Sequence, residues 1–186
     1  IGLIDCAGLR LQEATDALNA FGEVYLKQTL ASGVIPQITA IFGTCGGGAA
    51  LIPTLTDFTF MTAEGGKLFV NSPNALDGNY QAKLDTASAA YLSENSSLVD
   101  GVYEDDAATL AGIRSLVDML PDNNMEDAES DCTDDLNRII PNLDGFAKDA
   151  RAVLQNIADN NVFVEVKKDY AKDMVLGLIK LNGATV

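Results

Sequence analysis

The chain has 186 residues, nearly half of them apolar, which is enough for one domain with a sizeable core, or for one domain and part of another. Its 12 Lys and Arg against 27 Asp and Glu leave a formal net charge of −15, which excludes nucleic acid as a partner, because a phosphate backbone needs a clustered cationic footprint. There is no histidine, so a Ser-His-Asp or Cys-His nucleophile, a His-zinc site and a histidine general base are all excluded within these residues.

Ile1 to Asp5 reads as a buried strand rather than the charged start of a signal peptide, and both ends read as cut from a longer protein. Ala7-Gly8 follows, then a helical pattern from Leu11 with Ala14, Leu18, Phe21, Tyr25 and Thr29 on one face. Gly33 and Pro36 end that helix, and Ile38 to Phe42 is the next strand. The module then repeats, with Gly46-Gly47-Gly48, a helix from about Gly47 to Leu55, and a strand from Asp57 to Thr62. Alternation of this kind implies strands buried between helical layers, with the glycine turns of both modules on the same sheet edge.

Gly65-Gly66 turns into a strand Lys67 to Val70, closed by Asn71-Ser72-Pro73. A helix from about Tyr80 to Glu94 and a strand from Leu98 to Tyr103 come next; Asp105-Asp106 then opens a helix running to Leu120, with the acids set against its positive terminus. Residues 118–135 hold eight acidic residues and no basic one, the pattern of a solvated linker rather than a calcium loop. Beyond it lie a helix, Phe146 to Ala158, and strands Val162 to Val166 and Met174 to Leu181. The division is therefore a first domain over residues 1–120, an acidic linker over 121–142 and the start of a second domain over 143–186.

The longest apolar run, Gly33 to Phe42, falls well short of the roughly 20 residues a membrane span needs. Cys6, Cys45 and Cys132 fit neither a disulfide framework nor a zinc set, and read as reduced thiols of a soluble cytoplasmic protein without a metal.

Two glycine-bearing turns carry the chemistry: Cys6-Ala7-Gly8-Leu9-Arg10 and Cys45-Gly46-Gly47-Gly48-Ala49. If the strands before them are neighbours, several amide N–H groups meet on one oxygen, each preorganised donor supplying about 3 to 4 kcal/mol of transition-state stabilisation. A Gly-Gly-Gly run also serves close helix–strand packing. Neither a phosphate-loop lysine followed by Ser/Thr nor G-x-G-x-x-G is present, which disfavours nucleotide hydrolysis. Arg10 either holds an anionic ligand or pairs with Glu13 on its own helix.

Asp5-Cys6-Ala7-Gly8-Leu9-Arg10-Leu11-Gln12-Glu13, Pro36-Gln37-Ile38, Gly43-Thr44-Cys45-Gly46-Gly47-Gly48-Ala49 and Pro53-Thr54-Leu55-Thr56-Asp57-Phe58-Thr59-Phe60-Met61 together resemble the carboxyltransferase subunits of biotin-dependent acyl-CoA carboxylases, of the propionyl-CoA carboxylase beta type. The sodium-pumping decarboxylases, glutaconyl-CoA decarboxylase alpha among them, share the pattern. Leu98-Val99-Asp100, Glu104-Asp105-Asp106, Asp134-Asp135-Leu136-Asn137-Arg138 and Ile140-Pro141 extend the resemblance in the same order.

The resemblance implies an α/β fold of the crotonase type, built of repeated strand-strand-helix units and incomplete here at both ends. It implies acyl-CoA as substrate, biotin on a biotin carboxyl carrier protein, a homo-oligomer, and contact with a membrane only through partner subunits. By the same resemblance Gly8, Leu9, Gly47 and Gly48 match the positions whose amides hold the thioester oxygen as an enolate, with Ala7, Arg10, Cys45 and Gly46 lining the substrate. Biotin itself can take part in the proton transfer, so no protein base is required. Cys6, Ala7, Leu9, Thr44 and Asn71-Ser72-Pro73 depart from the usual residues, and the larger Leu9 narrows the acyl pocket.

Two rivals on the same fold are weaker. A ClpP-like protease needs histidine, and a hydratase or isomerase needs acids on the pocket, for which Glu64 and Glu94 are the candidates. The rival of another class is a non-catalytic acyl-CoA-binding or assembly module that keeps the glycines but forms no complete site.

Overall fold

The computed structural model describes residues 1–72, 85–135, 137–146 and 148–186. The first 72 residues build the edge on which the two glycine turns lie. Strand β1 (Gly2–Cys6) is followed by a short 3₁₀ turn (Leu11–Glu13) and helix α1 (Ala14–Ala31), and then by strand β2 (Ile38–Gly46). Two 3₁₀ turns (Gly47–Leu51 and Pro53–Leu55) lead to β3 (Phe58–Thr62) and β4 (Lys67–Phe69). Helix α2 (Ala89–Asn95), β5 (Gly101–Tyr103) and helix α3 (Asp106–Val117) complete the first layer set.

The sheet is parallel throughout, in the order β1-β2-β3-β5, with β4 pairing the far end of β2. Side chains alternate across β2, so its residues feed two cores. Ile41 and Cys45 pack with Ile4, Ala49, Met61, Leu68 and Val99 on one face. Ile38 and Ala40 pack with Phe60, Ile113 and Leu116 of α3 on the other. Asp105 caps α3 by accepting from the Ala108 N–H at 2.7 Å, the role its place before the apolar run suggested.

Several expected elements shift. β2 does not stop at Phe42 but runs on through Gly46, because Thr44, Cys45 and Gly46 find new partners in Lys67, Leu68 and Phe69. The helix expected over Gly47–Leu55 is instead two 3₁₀ turns, the second starting at Pro53, whose ring cannot continue a helix. The strand expected from Leu98 begins at Gly101, and α3 ends at Val117. Helix α2 starts at Ala89, where Ser88 caps it by accepting from the Tyr91 N–H; Pro73 and the segment Tyr80 to Leu84 lie outside the described residues. On α1, Leu18 is 59% exposed and Ala14 is exposed, so the face turned toward the sheet is carried by Phe21, Tyr25 and Gln28.

After residue 120 the acidic segment makes specific backbone contacts. Asn124 N–H donates to the Val34 carbonyl, Ser130 N–H to Gly183, and Thr185 N–H to Ala128. Helices α4 (Leu143–Phe146) and α5 (Ala150–Ile157) precede an antiparallel sheet of β6 (Phe163–Val166), β7 (Leu176–Leu181) and β8 (Ala184–Thr185). The expected helix Phe146 to Ala158 is thus interrupted; Asp149 caps α5, and Ala147 is outside the described residues. Val164 and Leu178 of this sheet pack against the Ile38–Phe60–Leu116 core. Lys167 reaches the buried Asp100 carboxylate at 2.7 Å, which also accepts from Thr59 N–H at 2.7 Å.

Candidate active site

Both glycine turns leave from the carboxyl ends of adjacent parallel strands. β1 and β2 pair directly, with Cys6 opposite Cys45, so Ala7-Gly8-Leu9 and Gly46-Gly47-Gly48 emerge side by side. In open parallel sheets this edge is where ligands bind, since chain departing in different directions leaves a crevice there.

The two turns touch. A side chain at Gly46 would meet the Ala7 carbonyl oxygen and the Phe69 ring, both at 2.9 Å, so only hydrogen fits. Gly8 has φ +128° and Gly47 φ +61°, conformations that residues with a Cβ rarely adopt. A Cβ on Gly47 would lie 3.8 Å from Gly8 Cα, which places the first turn against the second. Gly47, Gly48 and Ala49 open the 3₁₀ turn, and the first N–H groups of a helical turn have no partner within it. Among the described residues no side chain caps them. The turn therefore presents amide donors to the sheet edge, where they can stabilise an oxygen that gains negative charge.

A groove of about 310 Å³ runs from the first turn along α1, lined by Cys6, Gly8, Leu9 and Arg10 on one side and Ala17, Phe21 and Val24 on the other. Leu9 lines this groove. Arg10 takes the ion pair with Glu13 at 3.4 Å, both side chains largely exposed. Ala7 is exposed beside the turn. Cys45 is fully buried, its Sγ donating to the Ala49 carbonyl at 3.3 Å, and burial with Cys6 nearby pushes its thiol up to about 12. Any part Cys45 takes in a site is thus played by its main chain.

The helix wall of the groove is not named by any motif. Its signal in the sequence is the spacing of Ala17, Ala20, Phe21 and Val24, one face of a helix at intervals of three and four. Tyr25 is a second such residue: its hydroxyl donates to the Gly48 carbonyl at 2.5 Å, and its ring stacks on Phe21 with centroids 6.0 Å apart. Neither Glu64 nor Glu94 borders the groove; Glu64 is exposed and Glu94 pairs with Lys172 at 3.6 Å. The carboxylate that does line the groove is Glu13, which is paired with Arg10.

Among the described residues no cluster of three or more metal-ligating side chains occurs, and no helix is long and apolar enough to cross a membrane.

Comparison with known proteins agrees with this architecture. The family model described as the carboxyl transferase domain matches residues 1–186. The propionyl-CoA carboxylase beta chain of Roseobacter denitrificans is 37% identical over all of this chain, and the methylmalonyl-CoA decarboxylase subunit alpha of Propionigenium modestum is 36% identical. The chain spans 39% and 38% of the length of those two relatives. The crystal structure of transcarboxylase 12S, a hexamer assembly with hydrolysed methylmalonyl-coenzyme A bound, superposes with a TM-score of 0.86 at 31% identity, covering 99% of this chain and 38% of that one. The expected α/β fold of the crotonase type is the fold observed. With its parallel sheet, its two abutting glycine turns and these relatives, the chain belongs to the carboxyl transferase domain family.

Proposed function

We propose that this segment forms the acyl-CoA side of a biotin-dependent carboxyltransferase or decarboxylase, with Gly8, Leu9, Gly47 and Gly48 supplying the amides that hold a thioester oxygen as its enolate. The observation that carries the reading is the abutment of two glycine turns at the carboxyl ends of β1 and β2, with the second turn uncapped. Moving a carboxyl group on or off the carbon next to a thioester passes charge onto the thioester oxygen. Two preorganised amides there supply about 3 to 4 kcal/mol each, and no side-chain base is needed for that part of the chemistry.

The apolar groove beside Leu9 takes the small acyl group, and Ala7, Arg10 and Gly46 border it, with Cys45 contributing backbone alone. The names of the relatives favour propionyl- or methylmalonyl-CoA as the thioester. Biotin on a biotin carboxyl carrier protein would give the carboxyl group in carboxylation and accept it in decarboxylation; the residues of this segment act on the thioester. The active protein is a homo-oligomer in the cytoplasm, which meets a membrane only through partner subunits. Residues 1–120 form the acyl-CoA domain, 121–142 an acidic linker, and 143–186 the opening of a second domain. A non-catalytic acyl-CoA-binding or assembly module would keep the same glycines. Turnover of the bound thioester separates the two.

Calorimetric titration of the full-length protein with acetyl-, propionyl-, methylmalonyl- and glutaconyl-CoA, beside free CoA, tests the reading. Selective binding of one thioester is the expected result. Binding of none refutes it and leaves a shared fold without the function.

A further inference from the structure

We infer that Tyr25 is a positioning residue for the Gly48 turn: its hydroxyl holds the Gly48 carbonyl and thereby aims the amides of that turn at the thioester oxygen. The inference rests on the function proposed above. The link spans 23 residues in sequence, from the middle of α1 to the tip beyond β2. At 2.5 Å it lies at the short limit of O–H···O bonds.

The need for such a link follows from the chain itself. Gly47 and Gly48 are the two residues whose peptide planes rotate most freely, because neither carries a Cβ. An amide that stabilises an oxyanion must already point the right way when charge develops, so free rotation there is costly. In a helical turn the C=O and N–H of one peptide point in opposite directions. A donor on the Gly48 oxygen therefore lies on the side of its peptide opposite the Ala49 N–H, and fixes the plane that ends in that N–H, the third free amide of the turn and a donor additional to those of Gly47 and Gly48. It also polarises the peptide, which strengthens the N–H as a donor.

Three further observations hold the tyrosine in place. Its ring stacks on Phe21. One turn further along α1, the Gln28 side chain donates to the Ile52 carbonyl at 3.4 Å, so the helix is fastened at both ends of the 3₁₀ turn. A Cβ on Gly48 would lie 3.1 Å from Tyr25 Oη and 3.4 Å from the Phe21 ring, so the residue at 48 and the aromatic pair are fitted to each other. Burial and the neighbouring Cys45 push the phenol above its ordinary value, so the hydroxyl keeps its proton and acts as a donor at neutral pH.

Tyr25→Phe keeps the ring and its stack and removes one oxygen. In the full-length protein its expected effect is a fall in kcat of about 10-fold, less than the 100-fold or more lost with a direct oxyanion donor, and a KM for the acyl-CoA within about 2-fold of the parent. Isotope-edited infrared spectroscopy of bound propionyl-CoA and methylmalonyl-CoA reads the polarisation directly: the thioester C=O band, lowered on binding to the parent protein, returns toward the free position in Tyr25→Phe. A 3-fluorotyrosine placed at position 25 keeps the packing with a more acidic phenol and lowers the band further, which decides the matter even if Tyr25→Phe does not fold. An unchanged band and unchanged kcat in the variants overturn the inference while leaving the acyl-CoA site standing. Failure of the parent to bind either thioester overturns both.

Discussion

Gly46→Ala is the sharpest perturbation of the site, because it adds one methyl group at the point where two turns meet. The new Cβ would lie 2.9 Å from the Ala7 carbonyl oxygen and 2.9 Å from Phe69 Cε2, about 0.5 Å closer than the 3.4 Å at which ordinary contact begins. Those two groups lie on either side of β2, just past the end of β1 and on β4, so the methyl cannot relieve one contact without regard to the other. Overpacking of this size costs about 1 to 3 kcal/mol of stability. The larger effect falls on activity. Displacing Ala7-Gly8-Leu9 from Gly47-Gly48 by about half an ångström spoils a geometry in which a misplacement of about 1 Å can cost on the order of 100-fold. We expect carboxyl transfer by the full-length protein to fall at least about 10-fold. Thermal unfolding of the full-length protein should shift down as well. Gly47→Ala is the control: its Cβ meets Gly8 Cα at an unstrained 3.8 Å, and its cost is the roughly 1–2 kcal/mol of placing a side chain at φ +61°. If Gly46→Ala transfers carboxyl groups at the parental rate and unfolds at the parental temperature, the two turns do not meet as described.

Gly48→Val drives a branched side chain toward Tyr25 Oη and Phe21 and should abolish turnover with the fold retained by circular dichroism; unchanged turnover would remove the main-chain oxyanion from the mechanism. Lys167→Met leaves the Asp100 carboxylate, 4% exposed, without its cation, at a cost of about 3 kcal/mol near neutral pH by urea unfolding. Burial already holds the Asp100 carboxyl above its ordinary value, so its contribution to stability is greatest where it is protonated and is lost as pH rises through the folded-state value. The deficit of Lys167→Met should accordingly shrink as the pH falls toward about 4, and a deficit that grows in acid would contradict this. Cys45, with its thiol pushed up to about 12, should resist iodoacetamide at neutral pH in the native protein and react once denatured, as mass spectrometry can follow; equal rates in both states would contradict its burial.

The parallel core was legible because its strands are largely apolar runs: Ile38 to Ile41 and Thr59 to Met61 are buried on both faces, with only Thr39 and Thr59 polar, and need no alternation to be recognised. The repeated strand-and-glycine module put both turns on one sheet edge, while the direct pairing of β1 with β2, Cys6 opposite Cys45, which makes them meet, is supplied by the structure. The extension of β2 through Gly43 and Thr44 was not legible. Glycine normally ends a strand, and here the strand persists because Asp5 accepts from Thr44 N–H at 2.9 Å and β4 supplies a second partner. The inward face of α1 was partly misread, since Leu18 fits the period as well as Phe21 does, and only contact with the Gly48 turn distinguishes them. Tyr25 and Gly48 lie on separate elements, and no local pattern announces a hydrogen bond between them.

The partner exchange along β2 bears on how the length of this chain can vary in evolution. β2 pairs with β3 over Ile38–Ile41 and with β4 over Thr44–Gly46, and only residues 63–66 join those two neighbours. A Cβ on Gly66 would sit 2.6 Å from the Thr62 carbonyl, and one on Gly65 would run into the Phe42 carbonyl, so the connection, though mostly exposed, closes tightly on the backbone of β2 and β3 at its two glycines. Surface loops ordinarily absorb insertions and deletions. This one cannot: a residue gained or lost would slide β4 along β2 by one position and turn Leu68 from the interior to the outside. Changes in length among descendants of this sequence should therefore collect elsewhere, and the four-residue connection should be inherited at fixed length.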